Sequence, residues 1–248
     1  MSAGGPTHEA NQKYDTPREN EQPTMTYPAS ELDRVLEPEI MDTDEEANGY
    51  AAMDHSATGA AFVQRLIELG ATGHALDIGT GPGTISILAA ESIPTLHITA
   101  VDLSPKMLAH ANALREKSHA KDRVSFEIAD AKFLPYESES FDVVFSNTIL
   151  HHIPDPTHML IEACRLLRPG GTLLIRDLYR PNTQADLDAL VAKHGAEDTE
   201  YNRELFRASL HAALSVEELA MVAESAFLEE AEIVIDTDRH VSLQMQAE

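Results

Sequence analysis

A short apolar run ending in an acid, Ala75-Leu-Asp77, opens into the glycine-rich stretch Ile78-Gly-Thr-Gly-Pro-Gly-Thr84, and a second apolar run closes on another acid, Asp102. A strand, a tight turn, a helix and an acidic strand end are the parts of a nucleoside-binding half-site. Glycine in the turn lets backbone approach a ligand and takes positive φ without strain. Asp102 stands nineteen positions beyond Gly83, about where a carboxylate accepts hydrogen bonds from both ribose hydroxyls. The spacing of Gly79, Gly81 and Gly83 is G-x-G-x-G, whereas a dinucleotide fingerprint is G-x-G-x-x-G. Taken alone, the stretch fits an ordinary turn, a dehydrogenase site or another nucleoside site.

Further segments follow in register: Val101-Asp-Leu-Ser-Pro-Lys-Met-Leu108, Ile128-Ala-Asp-Ala131, Phe141-Asp-Val-Val-Phe-Ser-Asn147 and Leu166-Leu-Arg-Pro-Gly-Gly-Thr-Leu173. Together with Asp77 to Gly83 this series, over residues 74–178, resembles the ordered motifs of the Rossmann-like (class I) S-adenosylmethionine (SAM)-dependent methyltransferases. The resemblance implies an α/β fold with a doubly wound, mostly parallel seven-stranded sheet and an antiparallel edge hairpin. It also implies an N-terminal helical lid and a helical insertion after the fifth strand.

Periodicity places the elements. Strands are predicted at His74–Ile78, His97–Leu103, Val124–Ile128, Phe141–Ser146, Thr172–Asp177, Ile233–Asp236 and Val241–Met245, with helices between them near Thr84–Ser92, Ser104–Ser118 and Pro156–Leu167. Alternation of this kind requires a parallel sheet whose ligands lie beyond the carboxyl ends of the strands. Ser104-Pro105 reads as N-cap and first helical residue, Ser215-Val-Glu-Glu218 as a capping box, and Ser56 and Gly70 as the bounds of a helix before the first strand. Two helical segments, Thr183–His194 and Thr199–Ala213, follow the fifth strand without an intervening strand.

Residues 1–30, rich in Pro, Thr, Asn, Gln and Glu, are expected to be a flexible segment. Residues 31–248 are expected to form one domain, with 31–70 as a helical cap and 180–214 as the substrate-specifying insertion. Tyr27 and the stretch from Tyr50 to His55 are candidates for a lid over the cofactor.

Composition narrows the partners. With 18 Lys and Arg against 42 Asp and Glu, the net charge is −24, a field that repels phosphate backbones and favours a small-molecule acceptor over nucleic acid. Solubility or adaptation to salt explains the same excess. The lone Cys164 excludes intramolecular disulfides and argues against arsenite as acceptor, since enzymes acting on it bind the metalloid through several cysteines. Neither a leader-like apolar segment nor a membrane-length apolar stretch is visible, so a cytoplasmic location and no membrane contact are expected, and the sequence leaves a homodimer open.

The resemblance implies site residues one by one. The backbone at Gly79, Thr80, Gly81 and Gly83 faces the methionyl part of SAM, and Asp77 reaches its ammonium; the alternative for Asp77 is a turn-closing acid. Asp102 holds the ribose, Leu103 packs on adenine, Asp130 and Ala131 meet the adenine edge, and Asn147 ends the fourth strand beside the cofactor. S-adenosylhomocysteine is the product implied. His151 and His152 stand where the transferable methyl faces substrate; one imidazole serves as a proton acceptor, or the pair lines the pocket. A metal is not expected, because adjacent side chains rarely converge on one ion. Tyr50, His151, Tyr179, Arg180, Tyr201, Arg203 and Arg207 are candidate substrate contacts, the last two on a helical face shared with Phe206 and Leu210. Two rivals remain at this point. One is an enzyme of tRNA modification, including carboxy-SAM synthesis, and the other is a SAM-binding protein without catalysis.

Overall fold

The computed structural model describes residues 1, 30–37, 56–196 and 198–246. Helix α1 (Ser56–Glu68) precedes strand β1 (Gly73–Ile78); α2 (Thr84–Ser92), β2 (Leu96–Asp102), α3 (Pro105–Arg115), β3 (Val124–Ile128) and β4 (Phe141–Asn147) follow. After α4 (Thr157–Leu166) and β5 (Leu167–Leu178) come α5 (Gln184–His194), α6 (Glu200–Ala212), α7 (Val216–Ser225), β6 (Glu232–Ile235) and β7 (His240–Met245). The sheet has seven strands in the order β3-β2-β1-β4-β5-β7-β6. All pairings are parallel up to β5, and β7 pairs antiparallel with both β5 and β6. Strand order reverses between β1 and β4, and the crevice above that switch point is where such sheets hold ligands.

Alternation along each strand divides the core between two faces. Leu76, Ile78, Val144, Leu173 and Ile175 pack with α4 and α7 on one side. Ala75, Val143, Phe145 and Leu174 pack with α1 and α2 on the other. Asp77 and Arg176 belong by parity to the α1 face, Asp177 to the opposite one. A smaller apolar cluster of Leu178, Leu187, Val191, Leu210 and Ala213 anchors α5 and α6 over the end of β5.

Local chemistry sets the helix starts as expected. The Ser104 hydroxyl accepts from the Met107 amide with Pro105 at the first turn, and Ser215 and Glu218 exchange both bonds of a capping box. Helix α3 ends at Arg115, three residues short of the expected Ser118. Strand β5 begins at Leu167 rather than Thr172, because Leu167 already pairs with Phe141; an irregularity before Val143 accommodates the Arg-Pro-Gly-Gly turn.

The expected helical cap over 31–70 is helical only from Ser56 among the described residues, while Ser30–Glu37 run as a non-helical strap. That strap is bonded to the insertion. Its Arg34 guanidinium donates to the carbonyls of Ala212, Pro154 and Ile153, tying α6 to the loop after β4. Tyr27 and Tyr50 to His55 lie outside the described residues. No helix among the described residues is long and apolar enough to cross a membrane.

Candidate active site

The carboxyl ends of β1, β2, β4 and β5 open into a cavity of about 670 Å³ roofed by the strap and α6. One wall contains Asp77, Gly79, Thr80, Gly81, Asp102, Leu103, Asp130, Ala131 and Asn147, nine of the ten residues expected to hold the cofactor. Gly83 is absent from that wall. At φ 78°, a Cβ on Gly83 would stand 2.7 Å from Phe126 Cζ and 2.8 Å from Ala111, so this glycine lets the start of α2 pack closely on β3 and α3.

Gly79 is under a different constraint. At φ 75°, a Cβ there would lie 2.4 Å from Ile149 Cδ1. The Gly79 and Thr80 amides both donate to the Val101 carbonyl, which locks the turn onto β2. Ile149 reaches this position because Thr148, a β-branched residue, holds a φ of 58° directly after β4, a conformation that persists only where its surroundings enforce it. Gly79→Ala is therefore expected to destabilise the fold by about 2–4 kcal/mol through overpacking and backbone strain. Urea unfolding measures this, and an unchanged midpoint would mean that Ile149 and the turn relax freely.

Two carboxylates end the first two strands. Asp77 is buried and accepts from the Ser86 hydroxyl at 2.6 Å. Burial pushes its pKa up to about 6 against the opposing pull of Ser86 and Thr80, with Asp102 adding a further upward push. An ionised Asp77 thus costs on the order of 3 kcal/mol at neutral pH. A cation arriving in the cavity would offset that cost. Asp102 accepts from the Gly81 and Ser104 amides, one on each oxygen and both at 2.8 Å, with the Leu103 amide as a further donor. Burial also raises its pKa, and these amide bonds oppose the rise.

A short helical turn, Leu150–His152, follows β4 and carries the histidine pair. His151 is buried, and its Nδ1 lies 2.6 Å from Oδ1 of Asp177 at the end of β5. Asp177 also accepts from the amides of Leu178 and His151. Burial opposes the imidazolium, but Asp177 and then Glu37 outweigh it and hold the His151 pKa above the ordinary value. Burial likewise opposes the Asp177 carboxylate, and the facing His151 outweighs that, so its pKa is lowered. Asp177 is therefore an acceptor and Nδ1–H the donor. On the far edge of the ring, Nε2 stands 3.5 Å from Oε1 of Glu37, and His152 Nδ1 is 4.0 Å from the same oxygen.

The acceptor-side wall differs from the sequence expectation. Tyr179, Arg180, Tyr201, Arg203 and Arg207 all lie outside the cavity lining. Tyr179 donates to the Asp238 carbonyl; Arg180 is buried in bonds to the Leu32 and Ala213 carbonyls and Glu218; Tyr201 is 56 % exposed. Arg203 pairs with Glu200, and Arg207 with Asp188 and Glu204. Helix α6 presents Asn202, Leu205, Phe206 and Ser209 to the cavity instead. That face is one step round the helix, because Leu210 is needed in the apolar cluster below. Tyr50 is outside the described residues.

Residues not foreseen complete the wall. Glu37, Arg176, His194, Arg239 and His240 all line it. The Arg176 guanidinium sits 4.9 Å over the Phe62 ring and donates to Asn147 Oδ1. His240 is held neutral, its pKa pushed down to about 4 by burial and then by Arg176 and Arg239. The strand-end rule could have found Asp177 and Arg176, since both lie at the carboxyl end of β5, which pairs with β4. Glu37 and Arg239 carry no local signal.

A family profile for a methyltransferase domain matches residues 70–232. The 27-O-demethylrifamycin SV methyltransferase of Amycolatopsis mediterranei is 40% identical over 124 residues, 50% of this chain and 45% of that protein. The arsenite methyltransferase of Halobacterium salinarum is 33% identical over 121 residues, 46% of this chain and 31% of that protein. The matched stretches therefore span less than half the length of these relatives. In fold, the chain resembles a SAM-dependent methyltransferase from Aquifex aeolicus with a TM-score of 0.60 at 16% identity, covering 81% of this chain and 96% of the other. A profile match over more than half of the chain, on a sheet with this strand order, shows that the chain belongs to the class I SAM-dependent methyltransferase family.

Proposed function

We propose that this chain transfers the methyl group of SAM to a hydroxyl of a small-molecule acceptor, giving a methyl ether and S-adenosylhomocysteine. The observation that carries the choice of a hydroxyl is the 2.6 Å contact between His151 Nδ1 and Asp177. A thiolate or free amine attacks a sulfonium methyl without help, whereas a hydroxyl must lose its proton, and an imidazole oriented by a buried carboxylate is suited to take it.

Bound SAM supplies a methyl group on a positively charged sulfur. Asp77 is placed to pair with the ammonium of the amino-acid part and Asp102 to accept from the ribose hydroxyls. His151 accepts the acceptor's proton at Nε2 as the new C–O bond forms and the C–S bond electrons return to sulfur. Asp177 holds the ring and balances the imidazolium. Leu178, Leu205 and Phe206 give the chamber apolar surface that excludes water, which strengthens these charge interactions. Cofactor and acceptor share about 670 Å³, and the charge of −24 opposes a phosphate backbone, so both favour a small acceptor. Cys164 lies outside the lining, against the Phe227 carbonyl, so arsenite chemistry has no thiolate here.

Calorimetry tests the cofactor half of this reading. SAM is expected to bind with micromolar affinity, about −8 kcal/mol, near neutral pH. The Asp77 pKa of about 6 in the free protein must fall when an ammonium pairs with it. Affinity is therefore full above that value, declines up to tenfold per pH unit below it, and binding near that pH releases protons. Asp77→Asn should bind weakly with a flat pH dependence. Tight NADH binding without SAM binding would overturn the reading. For the transfer itself, label from methyl-tritiated SAM should appear in hydroxylated acceptors as methyl ethers, and transfer confined to amines or thiols would reject the hydroxyl assignment.

A further inference from the structure

We propose that Glu37, His151 and His152 form a binding site for a divalent first-row transition ion of the zinc or cobalt type, built where the strap crosses the loop after β4. One oxygen or nitrogen from each of the three residues lies within 4.8 Å of the others. The separations from Glu37 Oε1 are 3.5 Å to His151 Nε2 and 4.0 Å to His152 Nδ1.

Three features favour an ion over an accidental cluster. Glu37 is 9 % exposed in its side chain, and its Oε1 is buried with no hydrogen-bond partner among the described residues. An orphaned carboxylate oxygen in such a place costs free energy unless a proton or a cation reaches it. His151 is already arranged as a ligand. With Nδ1–H donated to Asp177 at 2.6 Å, Nε2 can offer its lone pair, and a carboxylate behind a ligating imidazole is the common support of metal-bound histidine. Without a proton or a cation between them, Nε2 and Oε1 present lone pairs to each other. The donor set, two imidazoles and one carboxylate, suits zinc, cobalt or nickel better than magnesium or calcium, which take oxygen ligands.

Bonds of about 2.1 Å in a tetrahedron place donors about 3.4 Å apart. The 3.5 Å pair already meets that, and the wider pairs close by a fraction of an ångström to about 1.5 Å through rotation of the Glu37 and His152 side chains. An ion here would take the Nε2 lone pair that proton acceptance needs, so occupancy and the base role of His151 exclude each other. Binding of the metal goes beyond the methyl-transfer reading and is tested without turnover.

The test uses the full chain, free of any histidine tag, with cobalt chloride and zinc chloride as the probes. Cobalt is expected to bind once per chain with visible d–d absorption of a low-coordinate site, and zinc to displace it. Glu37→Gln and His152→Ala should each weaken cobalt binding by roughly 10- to 100-fold. A thermal shift with S-adenosylhomocysteine retained in both variants shows that they are folded. The exposed pair His74 and His97, with stacked rings 5.8 Å apart, supplies the control. Absence of stoichiometric binding, or binding lost in His74→Ala but kept in Glu37→Gln and His152→Ala, would overturn the site.

Discussion

His151→Ala is expected to lower turnover by roughly 100-fold or more while SAM affinity holds. The reason is the position of the ring. His151 is buried, its Nδ1 is committed to Asp177, and Nε2 is its only nitrogen left for an acceptor proton. Asp177→Asn tests the same unit without removing the ring. An amide keeps the shape, but its NH₂ group can donate towards Nδ1 and so favour the tautomer with the proton on Nε2, which cannot accept another. A loss of about 100- to 10,000-fold is expected from that reversal. His152→Ala supplies the comparison, since its ring lies beside that of His151 at a centroid distance of 4.2 Å, while it is His151 Nδ1 that meets Asp177 Oδ1. Equal, modest losses in the two histidine variants would leave both as pocket lining and reject the base. Stopped assays with labelled SAM, read as kcat and KM separately, distinguish these outcomes.

Asp102→Ala is expected to weaken SAM by about 2–4 kcal/mol, because charge-assisted hydrogen bonds to the ribose disappear. The structure adds a second consequence. The same carboxylate bridges the Gly81 and Ser104 amides, so its loss also frees the glycine turn and the start of α3. Asp102→Asn keeps an acceptor for one of those amides and should lose less. Calorimetry on both variants, with circular dichroism to verify folding, measures the difference. Unchanged affinity in a folded Asp102→Ala protein would remove this residue from the cofactor site.

The fold was legible because its signals are local. Period-two runs of apolar residues, Ser104-Pro105, the Ser215–Glu218 capping box and the glycine turn each specify nearby backbone, and their order around an alternating α/β pattern leaves few topologies. The boundary of β5 was not legible. An Arg-Pro-Gly-Gly stretch reads as a turn until pairing of Leu167 with Phe141 extends the strand behind it.

One wall of the cavity was legible for the same reason, since Asp77, Asp102, Asp130 and Asn147 end or follow strands that periodicity locates. The acceptor wall was not. Helical spacing grouped Arg203, Phe206, Arg207 and Leu210, but spacing defines faces and not which way they turn. The turn of α6 was decided by burying Leu210 against Leu187 and Val191, which carries Phe206 and Ser209 into the cavity and leaves the arginines to surface acids.

The sequence by itself determined the family, the doubly wound sheet and the position of Asp77 and Asp102 at the ends of β1 and β2, because each rests on contacts between residues near in the chain or on strand ends at a known switch point. Only the tertiary structure decided that Asp177 backs His151, 26 positions away, and that the strap brings Glu37 to the same imidazole. Parity along β5 sends Asp177 and Arg176 to opposite faces of the sheet, and Arg34 fixes the strap through carbonyls that any sequence would offer. Such meetings are set by packing between distant elements, and backbone acceptors leave no mark in a string of residues.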